Sequence, residues 1–530
     1  HLQTNNTGGL CYMATFNSPA LLKYADQVVA TIVMKYRNHP ALLGWDLCFG
    51  WTSEDNYPGA NYYSSWGVYD YSPVAVERFR EWLKKKYVSI EALRKAWKIN
   101  VTSFGEIYPP QPLPPPKSDE LVEFINGPGD VRRRWMDWMY FRLEEKTTCM
   151  LHFANLIKKL DPNHVIFQTP ATPLYASLSH MVFLSIDYYS FAKSPIDIVH
   201  IHPGLNHKTA RIIIDYKCYP PFLKYFEHHG KAALIKWEGR PGVDYDKYSE
   251  YIKAVSKMAR ETGTGLAIWG GHVPMPGTGE EQPEFTDSQI KLFIETFRST
   301  PEGKLTKTKI LILDEPKLVF FTYYSLKPYK LIETSSLWIL LHAAGIDCDV
   351  LPTDEIKENP NLLNDYKLVI LDNMFRMDNQ IVEILLNYVK KGGWLFIIGR
   401  TGVYDWYGEN KFKQLRKLLN ISSEIVDYKT TKYSWSFTQI EDPLLNGIKG
   451  KTGDIKSEYN VLYIPVFDYK SEGYTVLGVL DQNPLIATVG RKGRIIFWFP
   501  RLGLQIADRN LKDLKPTITF LKNLVKLVGD

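Results

Sequence analysis

The first 300 residues alternate short apolar runs with longer segments in which apolar residues recur every three or four positions. A short β-branched or apolar run predicts a buried strand, and the longer period predicts a helix. Strand and helix in repeated order are typical of parallel βα units. Five strands are predicted, at residues 41–48, 164–170, 197–203, 233–239 and 265–271.

The helices between these strands have recognisable ends. In SPALLKYADQVVATIVMKY, Ser18 can cap the amino terminus and Pro19 occupies the first turn, and YSEYIKAVSKMARETG ends on Gly263. The proline-rich stretch YPPQPLPPPKSDE is interpreted as an extended surface insertion, because the βα pattern continues after it.

A second domain is predicted to begin after the polar stretch RSTPEGKLTKT. Its strands and helices alternate as KTKILILDEP, LIETSSLWILLHAAG, IDCDVLP, KLVILDN, NQIVEILLNYVKKGG and WLFIIGR. Regular alternation, with Gly at the helix ends, predicts a doubly wound sheet. The chain is therefore divided into residues 1–300 and residues 305–530.

Composition and charge exclude several classes of protein. A chain of 530 residues with 45% hydrophobic and 23% charged residues fits a globular protein of two large domains. The net charge of +6 is spread along the chain, which argues against a nucleic-acid groove. No apolar run reaches the roughly 18 to 20 residues of a membrane span, and the first residues do not resemble a signal peptide.

The cysteines and the glycosylation triplets say little about the function or the location of the protein. The five cysteines include no CxxC pair and no zinc-ligand spacing, so no disulfide framework, metal site or cofactor is predicted. Asn-x-Ser/Thr triplets at Asn5, Asn100 and Asn420 permit glycosylation if the protein is secreted. Because such triplets arise readily by chance, the location stays open between cytoplasm and exterior.

Several segments resemble the beta-galactosidases of glycoside hydrolase family 42. In chain order they are Asn17-Ser18-Pro19, YRNHPALLGW, FREWLKKKYVSIEALRKAW, Trp138 to Arg142, SIDYYSFAKSPIDIVHIHPG and Glu238-Gly-Arg-Pro241-Gly242. The resemblance covers nearly the whole chain. It implies an α/β protein with a TIM-type (β/α)8 barrel followed by a glutamine-amidotransferase-like (flavodoxin-like) trimerisation domain. The family's metal-binding cysteine cluster has no counterpart here.

The barrel is expected to be incomplete in this chain. Eight βα units need about 250 residues, roughly 30 each, whereas five strands are predicted here, which the resemblance equates with strands 4–8. A five-stranded piece would expose two unpaired edges. We therefore expect a further amino-terminal segment or a separate chain to supply strands 1–3.

Glu238 is the candidate nucleophile. Retaining glycosidases need two carboxyl groups about 5 to 5.5 Å apart, one as nucleophile and one as acid/base. In barrels of this kind they follow strands four and seven, and the resemblance places Glu238 after strand seven, before Pro241 and Gly242. The alternative is a structural strand-end glutamate paired with an arginine such as Arg240.

The acid/base is harder to assign. The family has Asn-Glu after strand four, but counting from Trp45 those positions hold Phe49 and Gly50. Glu54 is the candidate, because a loop could return it to the site and the neighbouring Trp51 could raise its pKa by desolvation. A solvated loop carboxylate is the alternative interpretation of Glu54.

Four residues are predicted to bind substrate. Trp45 does so if it faces the lumen, in which case Asp46 faces the barrel wall and is a weaker candidate acid. His202 stands where the family has Tyr-Pro, and Tyr245 and Trp269 fall where the family places aromatic sugar platforms. Aromatic rings suit this role because pyranose rings have apolar faces. A packing histidine is the alternative for His202.

The predicted function is retaining, exo-acting hydrolysis of terminal beta-glycosides of beta-galactosidase type, through a covalent glycosyl-enzyme intermediate. The alternative is a non-catalytic carbohydrate-binding or structural pseudo-glycosidase. An amidotransferase is rejected because Cys348 lies within a strand, not on a strand-to-helix elbow.

The expected partners are an oligosaccharide or glycoside substrate and two further copies of the chain. The resemblance implies a homo-trimer formed through residues 305–530. The apolar strand RIIFWFP would need covering on both faces, which favours the same interpretation.

Overall fold

The structure is a computed structural model. It describes residues 2–16, 18–47, 68–111, 128–168, 188–201, 221–238, 248–269, 287–321, 332–430, 434–454, 462–480, 487–500, 502 and 514–529. Its contacts divide the chain into two compact units. Unit 1 comprises residues 1–219, 225–305 and 319–328, and unit 2 comprises residues 220–224, 306–318 and 329–530.

The first 300 residues form βα units around a parallel sheet. Strands β3 to β7 are hydrogen-bonded in chain order, and every neighbouring pair is parallel. All five predicted strands are therefore confirmed. The elements are β1 (Leu2–Thr4), β2 (Leu10–Ala14), α1 (Pro19–Tyr36), β3 (Gly44–Leu47), α2 (Pro73–Tyr87), α3 (Ile90–Trp97), α4 (Gly129–Leu160), β4 (Val165–Gln168), α5 (Tyr188–Ala192), β5 (Ile198–Ile201), α6 (Pro221–His228), β6 (Ala232–Glu238), α7 (Tyr248–Glu261), β7 (Gly265–Trp269) and α8 (Asp287–Ser299).

The predicted helix ends are also confirmed. The Ser18 hydroxyl accepts a hydrogen bond from the Leu21 amide at 3.4 Å, and Pro19 is the first residue of α1. Beyond the end of α7, Gly263 has a φ of +69°, a conformation that glycine adopts without steric cost.

The two faces of the five-stranded sheet differ in burial. Leu47, Ile166, Gln168, Val199 and Ala233 occupy alternate, register-linked positions and are buried. Helix α4 contacts β3. The intervening positions of the described strands are more exposed. Among the described residues, one face of the sheet is thus buried and the other is partly exposed.

Unit 2 is a second α/β assembly. Its elements are β8 (Ile310–Asp314), α9 (Ile332–Ala343), β9 (Asp349–Pro352), α10 (Thr353–Glu358), β10 (Leu368–Asp372), β11 (Arg376–Met377), α11 (Asn379–Lys390), β12 (Trp394–Ile398), β13 (Tyr404–Asp405), α12 (Lys413–Leu418), β14 (Val426–Thr430), β15 (Ser434–Phe437), β16 (Thr452–Asp454), β17 (Leu462–Val466), β18 (Thr475–Leu480), β19 (Ala487–Lys492), β20 (Ile495–Trp498) and α13 (Lys515–Gly529).

The main sheet of unit 2 has nine strands in the order β16-β15-β18-β19-β20-β12-β10-β8-β9. The five strands β9, β8, β10, β12 and β20 are parallel. Numbered by chain position they run 2-1-3-4-5, which is the order of flavodoxin-like sheets. The predicted doubly wound sheet is therefore present, and β19, β18, β15 and β16 extend it as antiparallel strands.

The strand RIIFWFP is covered inside unit 2. Ile496, Phe497 and Trp498 of β20 have no exposed surface, and the Trp498 ring contacts Phe437 and Phe520 with centroid distances of 6.0 and 5.1 Å. The expectation that this strand needs a partner subunit to cover it is therefore wrong. Flanking strands and α13 bury it instead.

No helix in the described part of the chain combines the length and the apolarity needed to cross a membrane.

Candidate active site

Glu238 and Trp269 are brought together by the sheet of unit 1. Glu238 is the last residue of β6 and Trp269 is the last residue of β7, and the two form a register pair between parallel strands. The carboxyl ends of parallel strands are where βα proteins build their active sites. The backbone thus places a predicted nucleophile and a predicted sugar platform side by side at this edge.

Three other predicted site residues lie outside the described residues. They are Glu54, His202 and Tyr245, in the ranges 48–67, 202–220 and 239–247 that follow β3, β5 and β6. Their assigned roles stay predictions.

Trp45 makes a contact that the sequence did not reveal. Its indole Nε1 donates a hydrogen bond to Oδ2 of Asp161 at 2.8 Å, and Asp161 directly follows the last residue of α4. The same carboxylate lies 2.8 Å from Nδ1 of His164. Burial by itself would raise the pKa of Asp161, but the hydrogen bonds from Trp45 and His164 outweigh burial and hold the pKa below its usual range.

This contact corrects the expected orientation of β3. Trp45 lies on the face of the sheet that also carries the buried Ile166, its register partner, and it reaches the end of α4. Asp46 follows it in the strand and is exposed, and successive strand residues point to opposite faces. The assumption that Trp45 faces the lumen and Asp46 the wall is therefore reversed, which argues against the predicted substrate-binding role of Trp45.

Register also separates Asp46 from Glu238. Asp46 pairs with Phe167, Phe167 with Ile198, and Ile198 with Ala232. Ala232 is the first residue of β6 and Glu238 is the last, six positions later. At about 3.3 Å per residue, Asp46 lies about 20 Å below the level of Glu238 along the strand direction. That is too far for a pair of retaining carboxyl groups, which are separated by about 5 to 5.5 Å.

Unit 2 contains carboxyl groups that the sequence analysis did not select. Asp314 ends β8 and Asp372 ends β10, and burial raises the pKa of Asp372 to about 7, with a further contribution from the Asp314 carboxylate. Burial likewise raises the pKa of Glu315 to about 7, against the opposing charges of Lys357 and Lys317. The available signal was an acidic residue directly after two apolar strands, in ILILDE and LVILD.

Cys348 does not have the environment of a nucleophile. It directly precedes β9, at the amino end of that strand, and it is 4% exposed. Burial raises the pKa of its thiol to about 12, which keeps it protonated. At the carboxyl end of β10 the strand-to-helix turn begins instead with Asn373, whose φ is +47°. Both observations agree with the rejection of an amidotransferase.

A parallel βα sheet with a glutamate at the carboxyl end of a strand is the arrangement found in barrel-type glycosidases. Comparison with known families agrees with this class, because the profile of glycoside hydrolase family 42, described as beta-galactosidase, matches residues 3–207. Over this part of the chain the sequence is therefore similar to glycoside hydrolase family 42.

Relatives are similar over most of the chain. Beta-galactosidase BbgII of Bifidobacterium bifidum is 21% identical over 97% of this chain and 73% of its own length. The crystal structure of a beta-galactosidase from Rahnella sp. R3 aligns with a TM-score of 0.71 at 16% identity, over 98% of this chain and 74% of that one. The enzyme from Bacillus circulans sp. alkalophilus gives 0.69 at 15% identity, over 99% and 75%. These structures establish a shared fold.

Proposed function

We propose that this protein hydrolyses terminal beta-galactosides with retention of configuration and that Glu238 is the nucleophile. The observation that carries this proposal is the position of Glu238 at the carboxyl end of β6, in register with the end of β7. The match of residues 3–207 to the family 42 profile supports it. The Glu238 carboxylate attacks the anomeric carbon and forms a covalent glycosyl ester while the aglycone leaves. Water then cleaves the ester.

Glu54 is proposed as the acid/base. The register places Asp46 level with Ala232, and Glu238 lies six positions after Ala232. Asp46 is therefore too far below Glu238 to be its partner, and we propose that the partner carboxyl comes from the segment after Leu47. Glu54 is the first carboxylate in the sequence after Leu47. It protonates the leaving oxygen and later removes a proton from the attacking water.

The substrate-binding part of the proposal uses Trp269, Tyr245 and His202. Trp269 is the register neighbour of Glu238 in the backbone, which supports its proposed role as an aromatic platform for the reacting sugar. Tyr245 follows β6 and His202 follows β5 in the sequence, and both keep the substrate-binding role that the resemblance implies. Trp45 is left out because its indole nitrogen bonds Asp161.

A nucleophile substitution tests the proposal. Glu238→Ala should abolish turnover of an activated aryl beta-galactoside, and added azide should restore it by forming the alpha-galactosyl azide, because azide attacks from the side that the carboxylate has vacated. Asp46→Asn is the matched control, since it removes an exposed carboxylate of the same sheet and should leave turnover unchanged. Full activity in Glu238→Ala would refute the assignment. Sugar binding by the unmutated chain without any turnover would favour the pseudo-glycosidase.

We also propose that further βα units complete the barrel. Helix α1, which precedes the edge strand β3, exposes Tyr24, Val28, Ile32 and Tyr36 at spacings of four, with 67, 38, 46 and 42% of their surface exposed. At the other edge, α8 follows β7 and exposes apolar residues as well. Such apolar stripes, next to the first and the last strand of a sheet, are expected where further βα units pack against it. We propose that strands 1–3, supplied by an amino-terminal segment or by a separate chain, pair with both edge strands and close the barrel.

The proposed domains are a partial TIM barrel at residues 1–300 and a trimerisation domain at residues 305–530. The flavodoxin-like strand order of the second region supports the amidotransferase-like assignment. Because RIIFWFP is buried within unit 2, the trimer is supported by the resemblance alone. Multi-angle light scattering should give three times the mass of one chain at micromolar concentration, and a monomer would contradict the proposal.

A further inference from the structure

Asp314 and Asp372 mark the switch point of the sheet in unit 2. From β8 the chain first adds β9 on one side and then crosses to β10 on the other. Open α/β sheets bind ligands in the crevice outside the carboxyl ends of the strands where the order reverses, here between β8 and β10. Asp314 is the last residue of β8, and Asp372 is the last residue of β10.

The register makes these two carboxyl groups neighbours. Leu313 pairs with Leu371, and each aspartate is the next residue of its strand. Adjacent parallel strands lie about 4.8 Å apart, and equivalent residues point to the same face. The two side chains therefore share one face at one level. Asp314 is partly exposed, which leaves solvent access to the pair.

Asp372 supplies an independent sign that a ligand is required. Only 7% of its surface is exposed, and its Oδ2 accepts no hydrogen bond from the described residues. A buried carboxylate oxygen without a donor is unfavourable unless a cation or a proton satisfies it. Among the described residues, the charge that acts on it is the Asp314 carboxylate, which is of the same sign.

The backbone around Asp372 is held in place by the turn after the neighbouring strand. The Asn373 amide donates to the Ile398 carbonyl, the Arg400 amide donates to Oδ1 of Asn373, and the Met374 amide donates to Oγ1 of Thr401, each at 3.0 Å. This network fixes the end of β10 against the end of β12. The Asp372 carboxyl group is thus presented on a rigid element, as a preorganised ion site requires.

We propose that Asp314 and Asp372 bind a hydrated magnesium ion. Magnesium is a hard cation that is commonly held by one or two carboxylates and keeps several water ligands. Zinc sites need three or four protein ligands, and the described part of the chain contains no group of three His, Cys, Asp or Glu side chains that could hold a metal. Two carboxylates at a partly exposed crevice therefore suit magnesium. This site belongs to unit 2 and does not depend on glycoside hydrolysis.

Thermal unfolding of the full chain tests the proposal. After treatment with EDTA, magnesium chloride should raise the Tm in a saturable way, whereas sodium chloride of equal ionic strength should not. Isothermal titration calorimetry should give a Kd for magnesium that weakens at least tenfold in Asp372→Asn and in Asp314→Asn. Asp354→Asn is the matched control, because the Asp354 carboxylate in the same unit is ion-paired with Lys317 and Lys357. It should keep the wild-type Kd.

Two results would overturn the proposal. One is a wild-type chain whose Tm and calorimetric heat do not respond to magnesium up to about 10 mM, a concentration at which even a weak millimolar Kd would be visible. The other is an Asp372→Asn variant that binds magnesium as tightly as the wild type. The first result would mean that a shared proton, not magnesium, neutralises Asp314 and Asp372. The second would mean that magnesium binds elsewhere in the chain.

Discussion

Glu238 and Trp269 end two adjacent parallel strands as a register pair. Both residues therefore lie at one level of the edge where βα loops begin. The parallel pairing of β6 with β7 creates this juxtaposition, because it brings the last residues of both strands to the same edge. It makes Trp269 the backbone neighbour of the proposed nucleophile, whereas the proposed acid/base Glu54 follows a different strand, β3, in the sequence.

The role of Glu54 predicts a dependence on the leaving group. Glu54→Ala should lower kcat/KM for an alkyl or disaccharide beta-galactoside by about 100-fold or more, because these leaving groups need protonation. The same variant should retain far more activity on a dinitrophenyl galactoside, whose leaving group departs as an anion. Asp55→Ala is the matched control. Equal losses on both substrates would remove Glu54 from this role.

The Trp45–Asp161 hydrogen bond predicts a structural phenotype. Trp45→Phe should lower the free energy of unfolding by about 1 to 3 kcal/mol, because it removes one donor from the buried Asp161 carboxylate and leaves His164 as its remaining side-chain partner. Urea unfolding measures this loss. The KM for substrate should stay unchanged. An unchanged stability together with a raised KM would restore Trp45 to the substrate site.

The buried carboxyl groups of unit 2 predict a loss of stability as pH rises. Asp372 and Glu315 have pKa values of about 7 in the folded chain, raised by burial above their ordinary values near 4. Between about pH 4 and pH 7 the unfolded chain releases protons that the folded chain retains, so the free energy of unfolding falls, and above pH 7 it levels off.

Urea unfolding in EDTA across this pH range measures the slope. Asp372→Asn should reduce the slope by roughly half, because asparagine does not titrate and Glu315 remains as the other group with a raised pKa. Asp354→Asn should not flatten it, since the pKa of Asp354 is lowered by its lysine partners despite the opposing effect of burial. A slope of the same size in Asp372→Asn and the wild type would contradict the assignment.

The exposed stripe of α1 predicts a sensitivity to charge. In the protein that carries its complementary βα units, Val28→Lys should weaken their association and lower activity, because a lysine would then be buried against apolar side chains. Gln27→Lys places the same charge on the adjacent exposed position and should have little effect. Co-purification and activity assays compare the two variants. Equal behaviour would indicate that the stripe faces solvent.

Local pattern in the sequence was sufficient to predict the elements. Runs of apolar residues and their period predict the five strands of the first region and the strands and helices of the second. Ser18 and Pro19 predict the start of α1, and Gly263 predicts the end of α7. The position of Glu238 at a strand end follows in the same way, since it depends only on where an apolar run stops. These features are determined by interactions between residues close in sequence.

Pairing between distant segments was decided only by the tertiary structure. Alternation along β3 separates Trp45 from Asp46, but which of them faces α4 depends on a hydrogen bond to Asp161, 116 residues away. RIIFWFP is apolar in the sequence, yet its cover comes from strands and a helix elsewhere in the same unit. Asp314 and Asp372 become neighbours because β10 inserts beside β8. Strand order and burial are properties of the assembled sheet, so local sequence does not encode them.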